Sequence, residues 1–179
     1  MFDSGYGYQN DIRAWDMKLT RLVLVFSVLL ALGACSKFRT YNGPEVTRVV
    51  VHKADRRMYL LHHDTVLASH DIELGFAPQG HKQFEGDGRT PEGRYFIDRR
   101  NPNSQFHLSI GISYPNPVDV EVARDAGKSP GGDIFIHGKP KPYRKRVGDW
   151  TAGCISVSDR EMEKIYAMVN DGTVIDIYP

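Results

Sequence analysis

Between residues 75 and 93 the chain carries five glycines and two prolines. No helix or strand tolerates that density, because glycine gives up the most backbone entropy on ordering and proline removes a hydrogen-bond donor. The stretch must be a long loop, and a loop of that length inside a compact domain needs elements on both sides to hold it. The flanking sequence supplies them. Residues 46–52 are rich in valine, residues 54–57 form a turn, and residues 58–62 and 66–74 follow as two more strands. Beyond the loop, residues 94–98, 106–112, 133–136 and 174–178 are further strands. Two helices are expected. One covers residues 118–126 and ends at Gly127, a residue suited to the left-handed cap position. The other opens on a Ser158-x-x-Glu161 capping box and repeats Met162, Ile165, Tyr166 and Val169 at helical spacing. The expected fold class is mainly β with minor α.

The first 35 residues have the pattern of an export signal. Lys18 and Arg21 precede an 11-residue run, residues 22–32, that is apolar except for Ser27. A membrane span needs about 20 apolar residues, so this length suits a signal-peptide core. The run ends in Leu32-Gly33-Ala34-Cys35, which resembles a bacterial lipobox with Cys35 as the lipidated residue. Met17-Lys18 is a more natural start than Met1, since residues 1–16 carry three aspartates ahead of the basic pair. Residues 36–44 then form a tether and residues 45–179 one folded domain. Ser36 after the cysteine resembles the sorting pattern for the outer membrane, which implies an anchor facing the periplasm of a Gram-negative cell. The 145 residues from Cys35 onward carry 20 Lys and Arg against 19 Asp and Glu. That balance gives no global attraction to nucleic acid.

Only two cysteines occur. Lipidation of Cys35 leaves Cys154 without an intramolecular partner, and a free thiol in an oxidising compartment needs a function to justify it. Cys154 lies in Thr151-Ala152-Gly153-Cys154-Ile155, and His137-Gly138 closes the apolar run Ile134-Phe135-Ile136. A histidine beside a cysteine is the usual means of activating sulfur as a nucleophile at neutral pH. Gly153 lets the backbone bend sharply, and its N–H can face a developing oxyanion. The pair points to cysteine acyl transfer; the other reading of the same residues is a small buried apolar thiol and a hydrogen-bonded core histidine. No metal is expected, because no second cysteine or close histidine completes a tetrahedral set. No cofactor is expected either, since Gly86-Asp87-Gly88 has neither a P-loop nor a Rossmann spacing.

With 17 positions from His137 to Cys154, this signature resembles that of the L,D-transpeptidase catalytic domain family (YkuD-type), especially its YafK-like murein transpeptidase branch. The Thr90-Pro91-Glu92-Gly93 element and the segment from Leu108 to Asn116 resemble the family too. The resemblance implies a β-sandwich-like mixed-sheet domain with a C-terminal helix and strand. It also implies a substrate, the stem peptide of peptidoglycan. Cys154 would attack the carbonyl of the third residue, a diamino acid at its L centre, and expel terminal D-alanine. His137 would keep Cys154 as thiolate and protonate the leaving amine, and the Gly138 carbonyl would orient the imidazole. An amine acceptor makes the chain a transpeptidase; water makes it an amidase or carboxypeptidase that trims stems or releases wall-linked protein. An inactive wall-binding lipoprotein is the reading from outside enzymology.

Two family features are missing. Many relatives carry histidine before Gly-Cys and arginine soon after, where this chain has Ala152 and Ser156. Substrate contacts are therefore expected from elsewhere: Thr151, Tyr114 and His81 in family-like segments, and Arg144 and Arg146 in a basic loop suited to peptide carboxylates.

Overall fold

A computed structural model describes residues 36–139 and 141–179; the signal segment, residues 1–34, and the lipidation site Cys35 lie outside the described residues. No helix among the described residues is long and apolar enough to cross a membrane. Among the described residues eight strands form one curled mixed sheet: β1 (Arg48–His52), β2 (Arg57–His62), β3 (Thr65–Asp71), β4 (Gly93–Asn101), β5 (Ser109–Ile112), β6 (Phe135–His137), β7 (Ile155–Ser156) and β8 (Val174–Tyr178). Their order is β3-β2-β1-β8-β4-β5-β6-β7, with β1–β8 and β6–β7 parallel and the rest antiparallel. The nine-residue β4 makes the curl. Its first half, Gly93 to Phe96, pairs with β8, and its second half, Ile97 to Asn101, pairs with β5 across a register shift between Ile97 and Arg99. A shift of this kind bends a strand and raises its twist, which turns the β5–β6–β7 end away from the rest.

Alternation along the strands buries Val49, Val51, Met58, Leu60, Tyr95, Ile97, Ile110, Ile136, Ile175 and Ile177 in one core. Two helices flank it, α1 (Pro117–Asp125) and α2 (Asp159–Met168). The α2 start is the expected Ser158–Glu161 capping box, and Met162 and Ile165 are its buried face. Helix α1 begins one residue earlier than the pattern suggests, because Pro117 occupies its first turn and Asn116 caps it reciprocally with Asp119. A cap of this kind is worth about 1 kcal/mol.

Of the strand boundaries that differ from expectation, those of β3, β5 and β6 shape the site. Strand β3 stops at Asp71, after which Glu73 bridges Ser156 and Gly75 bridges Thr151. The chain thus leaves the β2 edge to lie beside the nucleophile segment. Strand β5 starts only at Ser109, since His107 takes φ +72. Strand β6 starts at Phe135 because Asp133 sits at φ +54, outside strand geometry.

The glycine-rich segment is a loop, as its composition requires, and two buried lysines hold it. Lys53, 2% exposed, donates from Nζ to the Gly80 carbonyl at 2.7 Å, the Thr90 carbonyl at 3.0 Å and Glu92 Oε1 at 2.8 Å. Within the loop, Lys82 pairs with Asp87 at 3.0 Å, and the Asp87 carboxylate also accepts the backbone N–H groups of Gln83, Phe84 and Arg89. Buried charges persist only when so fully partnered. The loop is consequently a fixed wall against which the Cys154 turn rests.

Candidate active site

The nucleophile turn is built from a hydroxyl and a glycine. Thr151 Oγ1 donates to the Cys154 carbonyl at 2.7 Å and accepts the Gly153 N–H at 3.2 Å. Gly153 adopts φ +130, and a Cβ there would lie 2.6 Å from the Arg89 carbonyl oxygen. Glycine is therefore required both by conformation and by the loop wall. Gly153→Ala is expected to add about 1–3 kcal/mol of backbone strain before any steric overlap is counted. Chemical denaturation would show a clearly lowered midpoint; an unchanged midpoint would contradict this account of the turn.

Cys154 is half-buried, and its Sγ accepts the Phe135 N–H at 3.4 Å and faces the Asp133 carbonyl at 3.5 Å. His137 ends β6, where it pairs with Ser109 on β5 and Ser156 on β7. Its Nδ1 lies 2.7 Å from the Gly138 carbonyl. A carbonyl only accepts, so Nδ1 carries the proton and Nε2 is the basic nitrogen. Gly138 must be glycine for close packing: a Cβ would lie 2.7 Å from Asp159 Oδ1 and 2.9 Å from the Phe106 carbonyl.

Cys154 and His137 line one cavity of ≈ 580 Å³, together with Asn101, Asn103, Ser104, Gln105, Phe106, Ser109, Asp133 and Phe135. Burial lowers the His137 pKa below the ordinary imidazole value, against smaller upward effects of the Gly138 carbonyl and Glu73. Burial likewise pushes the Cys154 thiol up, opposed by the Phe135 N–H and reinforced by Asp133. Both directions favour a neutral thiol beside a neutral imidazole. The resting thiolate expected from the sequence is thus disfavoured by desolvation of both charges.

An aromatic wall covers the imidazole. The Phe106 ring lies 4.5 Å from that of His137, the Trp150 indole meets it edge-on at 5.8 Å, and Tyr143 stacks on Trp150 at 4.9 Å. Glu73 holds both ends of the loop that carries Tyr143 and Trp150, accepting from Lys139 at 2.5 Å and from Trp150 Nε1 at 2.6 Å. Sequence reasoning did not identify Glu73, Phe106, Tyr143 or Trp150. The available signal was Trp150 immediately before Thr151.

Of the expected site residues, Cys154, His137, Gly153 and Gly138 come together. The Gly153 N–H, expected to face an oxyanion, instead donates to Thr151, and the Thr151 hydroxyl, expected near substrate, is used inside the turn. Tyr114 is buried and donates to the Pro130 carbonyl at 3.1 Å. His81 accepts the Glu92 N–H at Nδ1 and donates from Nε2 to Asp119 at 3.0 Å. Both rings are thereby committed to holding loops. Arg144 pairs with Asp159 at 2.8 Å, and Arg146 packs its guanidinium against Tyr143 and Trp150. These five side chains are outside the lining of the Cys154 cavity.

Comparison with known proteins bears on the family and the fold. The family model for the L,D-transpeptidase catalytic domain, YkuD, matches residues 46–177. YafK of Escherichia coli K12 is 27% identical over 110 residues, covering 56% of this chain and 39% of YafK. Among solved structures, the helical cell shape determining protein Pgp2 from Campylobacter jejuni superposes with a TM-score of 0.58 at 26% identity, covering 83% of this chain and 53% of Pgp2. Bd1075 of Bdellovibrio bacteriovorus shares the fold with a TM-score of 0.53 at 22% identity, over 75% of this chain and 48% of Bd1075. The chain thus spans well under two thirds of the length of each of these relatives.

Proposed function

The chain belongs to the L,D-transpeptidase catalytic domain family, and on that premise we propose that it is a cysteine acyltransferase acting on peptidoglycan stem peptides. The observation that carries this reading is one cavity lined by both Cys154 and His137, with the imidazole tautomer set by the Gly138 carbonyl. Cys154 Sγ forms a bond to the carbonyl carbon of the third stem residue as its proton passes to His137 Nε2. The tetrahedral oxyanion is held by the Cys154 N–H. Collapse breaks the C–N bond to D-alanine, and the imidazolium returns its proton to the leaving amine. An acceptor amine then attacks the thioester carbon, releasing the thiol and completing a new peptide bond.

Because burial keeps both groups neutral at rest, His137 acts as a general base during attack rather than as a standing counterion. The aromatic wall of Phe106 and Trp150 keeps water from the imidazole and sustains that state. The same reading places the enzyme at the wall: exported, and anchored through lipidated Cys35 to the outer membrane.

Incubation of the full chain with purified tetrapeptide-bearing muropeptides, followed by mass spectrometry, tests the reaction. Cross-linked dimers accompanied by free D-alanine are expected. Trimmed monomers without dimers would reassign the acceptor to water, and an unchanged mixture would favour a wall-binding protein instead.

A further inference from the structure

Three residues stand in register across the sheet, the last of them lining the Cys154 cavity. Arg99 on β4 pairs with Gly111 on β5, which pairs with Phe135 on β6. Gly111 leaves the middle of this row empty. A Cβ there would lie 2.4 Å from Asp98 Oδ1 and 2.7 Å from Arg99 Cγ. The Arg99 side chain crosses the vacancy and rests its guanidinium on the Phe135 ring, 4.5 Å from the centroid. From there it donates to Asp98 Oδ2 at 2.7 Å and Asp133 Oδ1 at 3.0 Å. The Asp133 side chain is 89% exposed, and Asp133 lines the same cavity as Cys154.

The cluster holds two carboxylates against one guanidinium, an excess of one negative charge. The other lining side chains are amides, hydroxyls, aromatic rings, the thiol and an imidazole kept neutral by burial. Asp133 is therefore the net charge an incoming ligand meets beside the nucleophile. That placement opposes catalysis in the free protein, because after burial the Asp133 carboxylate is a further cause raising the thiol. A carboxylate kept at such a position is explained if a cation neutralises it when substrate is bound.

We propose that Asp133, oriented by Arg99 across the Gly111 gap, is the specificity residue that binds a side-chain ammonium of the acyl donor next to the reacting carbonyl. The inference rests on the stem-peptide reading above and deepens it. Binding the ammonium both selects a donor with a basic side chain and removes a negative charge from beside the sulfur when it must become a nucleophile. Exposed charge pairs contribute modestly to affinity, yet a complementary charge beside the reacting centre discriminates effectively between donors.

The test compares kcat/KM for tetrapeptide muropeptides with a free side-chain amine and for the same muropeptides acetylated on that amine. The wild-type chain should favour the free amine by roughly tenfold, about 1.4 kcal/mol. Asp133→Asn should bring that ratio close to one. Asparagine tolerates the left-handed backbone at this position, and any loss of active protein cancels in the ratio. An undiminished ratio in Asp133→Asn, or no preference in the wild type, would overturn the assignment while leaving acyl transfer intact. Failure of the wild type to turn over either substrate would overturn the reading on which it rests.

Discussion

Replacing Cys154 with serine should abolish turnover, with a loss on the order of 10⁴-fold or more in kcat/KM, as expected when a covalent nucleophile is removed. A serine hydroxyl is far harder to deprotonate than a thiol, and the base available to it is weakened. Burial holds His137 below the ordinary imidazole value, so it can assist a thiol much better than an alcohol. Folding should be nearly unaffected, because the hydrogen bonds of Sγ among the described residues are two long ones, with the Phe135 N–H and the Asp133 carbonyl. The check is steady-state kinetics paired with thermal unfolding. A variant that melts like the parent yet lacks activity supports Cys154 as the reacting group. Retained activity would remove it from the mechanism.

His137→Asn should cost about 10²–10⁴-fold in kcat/KM, the usual range for a general acid–base group. Its pH profile is the more specific readout. In the wild type, lowering the pH through the depressed His137 value protonates the base, so the rate should fall on the acid side and level off by neutrality. The acid limb should therefore lie below the ordinary imidazole pKa of about 6.5. Asparagine carries no titrating nitrogen, so this limb should vanish in the variant. What activity remains should rise in the alkaline range as the thiol itself ionises, above its ordinary value because burial has raised it. An acid limb that persists unchanged in His137→Asn would assign it to another group.

The architecture was legible wherever periodicity and punctuation acted locally. Residues 174–178 form β8 as expected, and the Ser158–Glu161 box starts α2. The boundaries that shifted did so for long-range reasons. Asp71 ends β3 because Glu73 and Gly75 are recruited to Ser156 and Thr151, some 80 residues away in sequence. No local signal encodes such a bridge.

The site divides along the same line. Gly153 and Gly138 stood out because glycine next to a functional residue has few other uses, and the structure adds the Arg89 and Phe106 carbonyls that each would strike with a side chain. Thr151, Tyr114 and His81 lie in similar-looking segments, but their polar atoms are consumed by hydrogen bonds that only the folded chain brings within reach. Asp133 gave no sign of itself in sequence. Its importance comes from the β4–β5–β6 register, which brings Arg99 across Gly111 to meet it.

The direct test of the central claim is intact-mass spectrometry of the full chain, quenched in acid during incubation with a tetrapeptide muropeptide. The wild type should gain the mass of the donor less D-alanine, as a thioester that peptide mapping places on Cys154. Cys154→Ser should gain nothing. Product formation with no covalent adduct at any time, or an adduct that survives in Cys154→Ser, would contradict acyl transfer through this cysteine.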